Sequence, residues 1–99
     1  MNKNVTAMKR SIVPLLRASD VKRAAFFGSM ARGEATGRSD VDILVEFAGK
    51  KSLFDLVSLE EKLTARLKKK VDLVTYASLH PLLRSRILKE QRVIYEKRS

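Results

Sequence analysis

Cysteine and tryptophan are absent from this chain of 99 residues, histidine occurs once, proline twice, and only 6% of the side chains are aromatic. Without cysteine there are no disulfides and no thiolate metal sites, which fits a reducing cytosol. With His80 as the single histidine, placed just before Pro81, a histidine-built metal site is out of reach, and that residue reads as structural or merely exposed. No apolar run approaches the roughly 18 residues of a membrane span, and the apolar stretch in MNKNVTAMKRSIVPLL is too short and interrupted for a signal peptide. The expected location is the cytoplasm.

Acidic charge is also scarce: 11 acidic residues stand against 21 basic ones, a net charge of +10. Such an excess favours a polyanionic or acidic partner, whether nucleic acid, nucleotide or protein, and does not choose among them. The few aromatics, Phe26, Phe27, Phe47, Phe54, Tyr76 and Tyr95, fall mostly in expected core segments, so base stacking on a nucleic acid is the less favoured use. A hydrophobic fraction of 44% is ordinary for a globular protein. With no repeat and no low-complexity linker, residues 1–99 read as one domain too small for a substrate-binding domain of its own.

The periodicity predicts an amphipathic helix over Val5 to Arg17, with Pro14 as a kink or a sign of a nearby start. Val21 to Phe27 and Asp40 to Phe47 read as strands, with a turn at Ser19 and Asp20 and a polar loop from Gly33 to Arg38. Ser52 is a good cap for a helix bearing Leu53, Leu56, Leu59, Leu63 and Leu67, whose leucine stripe reads as core. Val71 to Thr75 is a short third strand. Residues Ser78 to Glu90 suggest a last helix with Leu79, Leu82, Leu83, Ile87 and Leu88 inward, and Val93 to Tyr95 an edge strand.

Chemistry gathers in FFGSMARGEATGRSDVDILVEF, residues 26–47. Alternate residues of a strand share a face, so Asp40 and Asp42 point the same way, opposite Val41, Ile43, Val45 and Phe47. Asp72, in the middle of the apolar VDLVT, is a third carboxylate on a strand, and if the strands are neighbours all three share one pocket. Three carboxylates repel one another, and a cation is the natural compensation; oxygen donors alone favour Mg²⁺ or Mn²⁺ over zinc. Gly28 lets the backbone approach a ligand closely, Ser29 adds a hydroxyl at the start of a helical turn, and Arg32 lies one turn on. The result is a nucleoside triphosphate cradle aimed at a metal site. It is neither a Walker loop nor a dinucleotide fingerprint.

Gly28-Ser29, ten further residues, Asp40-Val41-Asp42 and then the VDLV run around Asp72 resemble the minimal nucleotidyltransferase domain of the DNA polymerase beta superfamily, over nearly the whole chain. The resemblance implies an α+β fold, a small mixed β-sheet flanked by helices in the manner of the polymerase beta palm. It further implies two Mg²⁺ ions held by Asp40 and Asp42, Asp72 completing the metal and catalytic set near the attacking hydroxyl, and ATP bound through Gly28 and Ser29. Many members carry Arg after Gly-Ser; Met30 stands there in this chain, which removes a phosphate contact. Members of this kind resemble the antitoxin half of a pair whose toxin is a HEPN ribonuclease, and some transfer AMP from ATP to a tyrosine of that toxin. The expectation is therefore a protein adenylyltransferase in a hetero-oligomer with a HEPN toxin. The alternatives are an antitoxin that neutralises by binding alone, and a nucleotidyltransferase acting on nucleic acid ends.

Overall fold

The computed structural model describes residues 3–33 and 40–97, so most of the expected polar loop, Glu34 to Arg38, lies outside the described residues. Helix α1 (Lys3–Ala18) leads into strand β1 (Val21–Phe27), the short helix α2 (Ser29–Arg32), strand β2 (Val41–Phe47), helix α3 (Leu53–Leu67) and strand β3 (Val71–Thr75). A 3-10 turn (Tyr76–Ser78), helix α4 (Pro81–Glu90) and strand β4 (Arg92–Glu96) follow. The sheet order is β3-β2-β1-β4, with β2 and β3 parallel and the other pairs antiparallel. This is the expected α+β fold, a mixed sheet flanked by helices.

Strand parity dictates the layers. Val41, Ile43 and Val45 of β2, Val71 and Leu73 of β3, and Phe26 of β1 are buried against Val5, Ile12 and Leu16 of α1 and Leu59 and Leu63 of α3. Pro14 does not break α1: the helix runs through it. On the opposite sheet face Leu44 and Ala25 are also fully buried, where the 3-10 turn carrying Tyr76 lies against β2. β2 is thus apolar in its middle on both faces and polar only at its ends.

Helix α3 starts and stops on local signals. The Ser52 side chain accepts from the Asp55 N–H, while the Ser52 N–H donates to Asp55 Oδ2 at 2.9 Å, a reciprocal capping box that holds the Asp55 carboxyl below its usual range. At the other end Lys68 adopts the left-handed conformation, φ 55°, that releases the chain toward β3. One turn apart on α3, Thr64 and Glu60 accept the outward N–H groups of Val71 (3.2 Å) and Leu73 (2.9 Å). Side chains from the helix thereby close the outer edge of β3.

Two expected inward faces are corrected. Leu53 is 73% exposed, because it occupies the first position of α3, ahead of the turn that meets the sheet. In α4 no residue is buried: Leu82 is 85% and Leu83 52% exposed, and of the leucines and isoleucine expected inward Leu79, just before the helix, Ile87 and Leu88 are partly covered. Polar ties hold this helix instead. Arg84 Nη1–H donates to the Tyr76 carbonyl at 2.7 Å, Tyr76 Oη–H donates to Gln91 Oε1 at 2.6 Å, and the Tyr76 ring is covered by the Arg23 guanidinium at 4.2 Å. Burial pushes the Tyr76 phenol above its ordinary pKa. His80 is structural, as expected: its Nδ1 accepts the Leu82 N–H at 3.1 Å and caps α4, whose first residue is Pro81.

Replacing Ser52 with Ala removes an acceptor and a reciprocal partner of the capping box. Thermal denaturation of S52A should show a loss of about 1 kcal/mol, a fall in midpoint of about 5 °C, with unchanged helix content at low temperature.

Candidate active site

The site is built at the end of the sheet where β1 stops and β2 and β3 start. In the parallel register Asp42 stands directly beside Asp72, and in the antiparallel register it stands beside Phe27. Neighbouring residues across strands share a face, so Asp42 and Asp72 both point away from the α1–α3 core. Asp40 lies immediately before β2 and is exposed, and the Val41 N–H that follows donates to the Lys70 carbonyl at 2.9 Å, which ties the starts of the two strands together.

Burial, with repulsion from Asp72 and Asp40, raises the Asp42 carboxyl above its ordinary range, and Arg32 partly offsets this. Asp40, Asp42 and Asp72 therefore share one electrostatic neighbourhood. Among the described residues, however, no three acidic or histidine side chains are gathered tightly enough to form a ready-made ion cage. Like charges on flexible side chains spread apart within the space they have. The donor set is carboxylate oxygen alone, and a divalent cation would relieve the repulsion that raises Asp42. Both facts fit a hard ion such as Mg²⁺.

Gly28 is fitted to Asp42. It ends β1 with φ 65° and ψ −144°, a backbone conformation open almost solely to glycine. A Cβ there would overlap the Asp42 Oδ2 atom. The missing side chain is what lets the carboxylate lie over the turn. After it, Ser29 opens the single helical turn of α2, in which the Arg32 N–H donates to the Gly28 carbonyl at 3.2 Å and Gly33 closes the turn with φ 73°. Met30 and Ala31 are buried, so the residue that replaces the usual Arg serves as core. Arg32 is ion-paired across this end of the sheet: its Nη1 lies 3.6 Å from Glu90 Oε2 at the end of α4, and its charge is felt at Asp42.

One contributor had no local signal in the sequence. Arg92, at the start of β4, sends its Nε–H to the Ala31 carbonyl at 2.8 Å across 61 positions of chain. With the Arg32–Glu90 pair it fastens α2 to the C-terminal elements. An Arg at the first position of an edge strand looks like a solvated charge until the register places it opposite Phe26.

A model of the family described as polymerase beta nucleotidyltransferase matches residues 10–99. The chain belongs to this nucleotidyltransferase family. Among its relatives is a Methanocaldococcus jannaschii protein provisionally named a protein adenylyltransferase, 54% identical over 87 residues that cover 88% of this chain and 94% of the relative. The protein adenylyltransferase MntA of Thermococcus cleftensis is 45% identical over 75 residues, 76% of this chain and 74% of that one. A chain in the crystal structure of a toxin-antitoxin with AMP-PNP superposes with a TM-score of 0.78 at 26% identity, covering 90% of this chain and 73% of that chain.

Two substitutions probe the fit. Gly28→Ala forces both a left-handed alanine and an overlap with Asp42, and nucleotidyl transfer should fall about 100-fold as the carboxylate is displaced. Asp42→Asn tests the repulsion. A raised carboxyl pKa means that the fold prefers the protonated form, so its contribution to stability is present at low pH and is lost as pH rises through the folded pKa. With chelator present, D42N should melt above the wild type at neutral pH, solvent screening holding the gain to about 2 °C, and the difference should vanish in acid.

Proposed function

We propose that this nucleotidyltransferase is a cytoplasmic antitoxin that transfers AMP from ATP to a tyrosine hydroxyl of a partner toxin of the HEPN class. The observation that carries the reading is the pairing of Asp42 with Asp72 across parallel strands, with the side-chain-free Gly28 turn beneath Asp42. Support comes from the relatives named protein adenylyltransferase and from the fold shared with a toxin-antitoxin chain whose structure includes AMP-PNP, an ATP analogue. The exposed positions of Asp40 and Asp72 suit an acceptor brought by another protein.

In this reading Asp40, Asp42 and Asp72 hold Mg²⁺, which when bound supplies positive charge for the phosphate oxygens. Gly28 and Ser29 receive the triphosphate close to the backbone. The acceptor oxygen forms a bond to the α-phosphorus, the bond from that phosphorus to the bridging oxygen breaks, and pyrophosphate leaves with the electron pair. Asp72, on an exposed position of the same face, takes the acceptor's proton. Arg92 and Glu90 hold α2 in place.

The test is to incubate the purified chain with ATP, Mg²⁺ and the purified product of the adjacent gene. Intact-mass analysis should show AMP added to that product, with tandem fragmentation placing it on tyrosine, and D42N or D72N should reduce the addition by at least about 100-fold. A toxin neutralised equally well by D42N, with no added mass from the wild type, would assign the chain to inhibition by binding alone.

A further inference from the structure

Among the described residues an excess of positive charge lies on the far side of the sheet from Asp42 and Asp72. The outer surfaces of α1 and α3 carry exposed Lys9, Arg10 and Arg17 on the first helix and Lys62 and Arg66 on the second. The chain leaving α3 adds Lys68, Lys69 and Lys70. Against them stand Asp55, Glu60 and Glu61 of α3 and Asp20 in the turn after α1, the last paired with Lys51 and Lys97; α1 itself carries no acidic residue. Asp55 is engaged in the cap at the opposite end of α3, and Glu60 accepts from Leu73, which leaves Glu61 as the acid not tied into the fold by these bonds.

Helical spacing organises these cations into two rows. Arg10 and Arg17 are seven residues apart and Lys62 and Arg66 four, so each pair shares a face of its helix. Arg66 Nη1–H donates to the Ser11 carbonyl at 3.0 Å and locks the rows side by side. A shallow groove on the α3 side is lined by Leu15, Lys62, Ala65, Arg66 and Lys68, and a separate depression on the outer side of α1 is lined by Thr6, Lys9, Arg10, Val13, Pro14 and Arg17.

We infer that this outer face of the α1–α3 layer docks the phosphodiester backbone of a double-stranded nucleic acid without reading its sequence. Two rows of exposed cations on neighbouring helices, each beside a shallow depression, match a line of phosphates. The face offers nothing for bases: five of the six aromatic residues lie in strands or the 3-10 turn, and Phe54 sits at the capped start of α3, away from Lys68 to Lys70. A membrane surface fits less well, because the apolar residues of α1, Val5, Ile12 and Leu16, are spent in the core and cannot insert into lipid. The active-site face stays free, so duplex and nucleotide bind independently.

Fluorescence anisotropy of a labelled random-sequence DNA duplex of about 20 base pairs, and of the matching RNA duplex, should show binding whose log K falls linearly with log salt, with a slope near −5 for roughly six phosphate contacts. Arg10→Ala, Arg17→Ala and Lys62→Ala combined should weaken binding at least about tenfold at low salt and flatten the slope by roughly 2 to 3. AMP transfer to the partner should be unchanged. A control set of equal charge, Lys50→Ala, Arg86→Ala and Lys89→Ala, removes exposed cations outside the layer and should flatten the slope far less. The inference is overturned if neither duplex binds at low salt, if the control set weakens binding as much as the helical-layer set, if saturating ATP competes with the duplex, or if anionic vesicles bind while duplexes do not. Each of these outcomes leaves the adenylyltransferase reading intact, since that reading is decided by the mass of the partner.

Discussion

The parallel register of β2 on β3 is the constraint on which the rest of the site depends. Because Val41 pairs with Val71, Asp42 must stand beside Asp72, and both carboxylates must face away from the helical layer. A shift of one residue would turn Asp42 into the core and bring Val41 out, so burial of the odd residues fixes the register as firmly as the ladder bonds do. α3 enforces the same alignment from outside, through Glu60 and Thr64 on the β3 amides. The placement of the two carboxylates is thus held by hydrophobic packing on the opposite face of the strand.

Strong local patterns were legible in the sequence. The alternation in β2 and β3 gave the shared face of the aspartates, and Ser52 followed by Asp55 gave the start of α3, because strand parity and capping act within a few residues. Gly28 was legible as a close approach, though which group approaches was not: the partner is Asp42, 14 positions later.

The parts that could not be read are those decided at long range. Leucines at helical spacing in α4 predict an inward face, but spacing reports only that a face exists, not that another element will cover it. Here Arg84, Tyr76 and Gln91 hold the helix by polar contacts and leave Leu82 and Leu83 in solvent. The position of Arg32, one turn after Gly-Ser, gives no hint of its pairing with Glu90, which comes from the far end of the chain. Arg92 likewise acquires its role only when β4 docks on β1.

The side-chain closure of β3 has a consequence for self-association. A sheet has two edges, and a bare edge invites a strand from another molecule. On the β3 side Glu60 and Thr64 have already taken the amides such a strand would need. On the β4 side the described residues present a short strand of five residues with Arg92 and Glu96 at its ends and Val93 46% exposed. Among the described residues, lengthening of this sheet by a second chain is therefore directional: it is favoured beside β4, on the strand whose first residue also fastens α2.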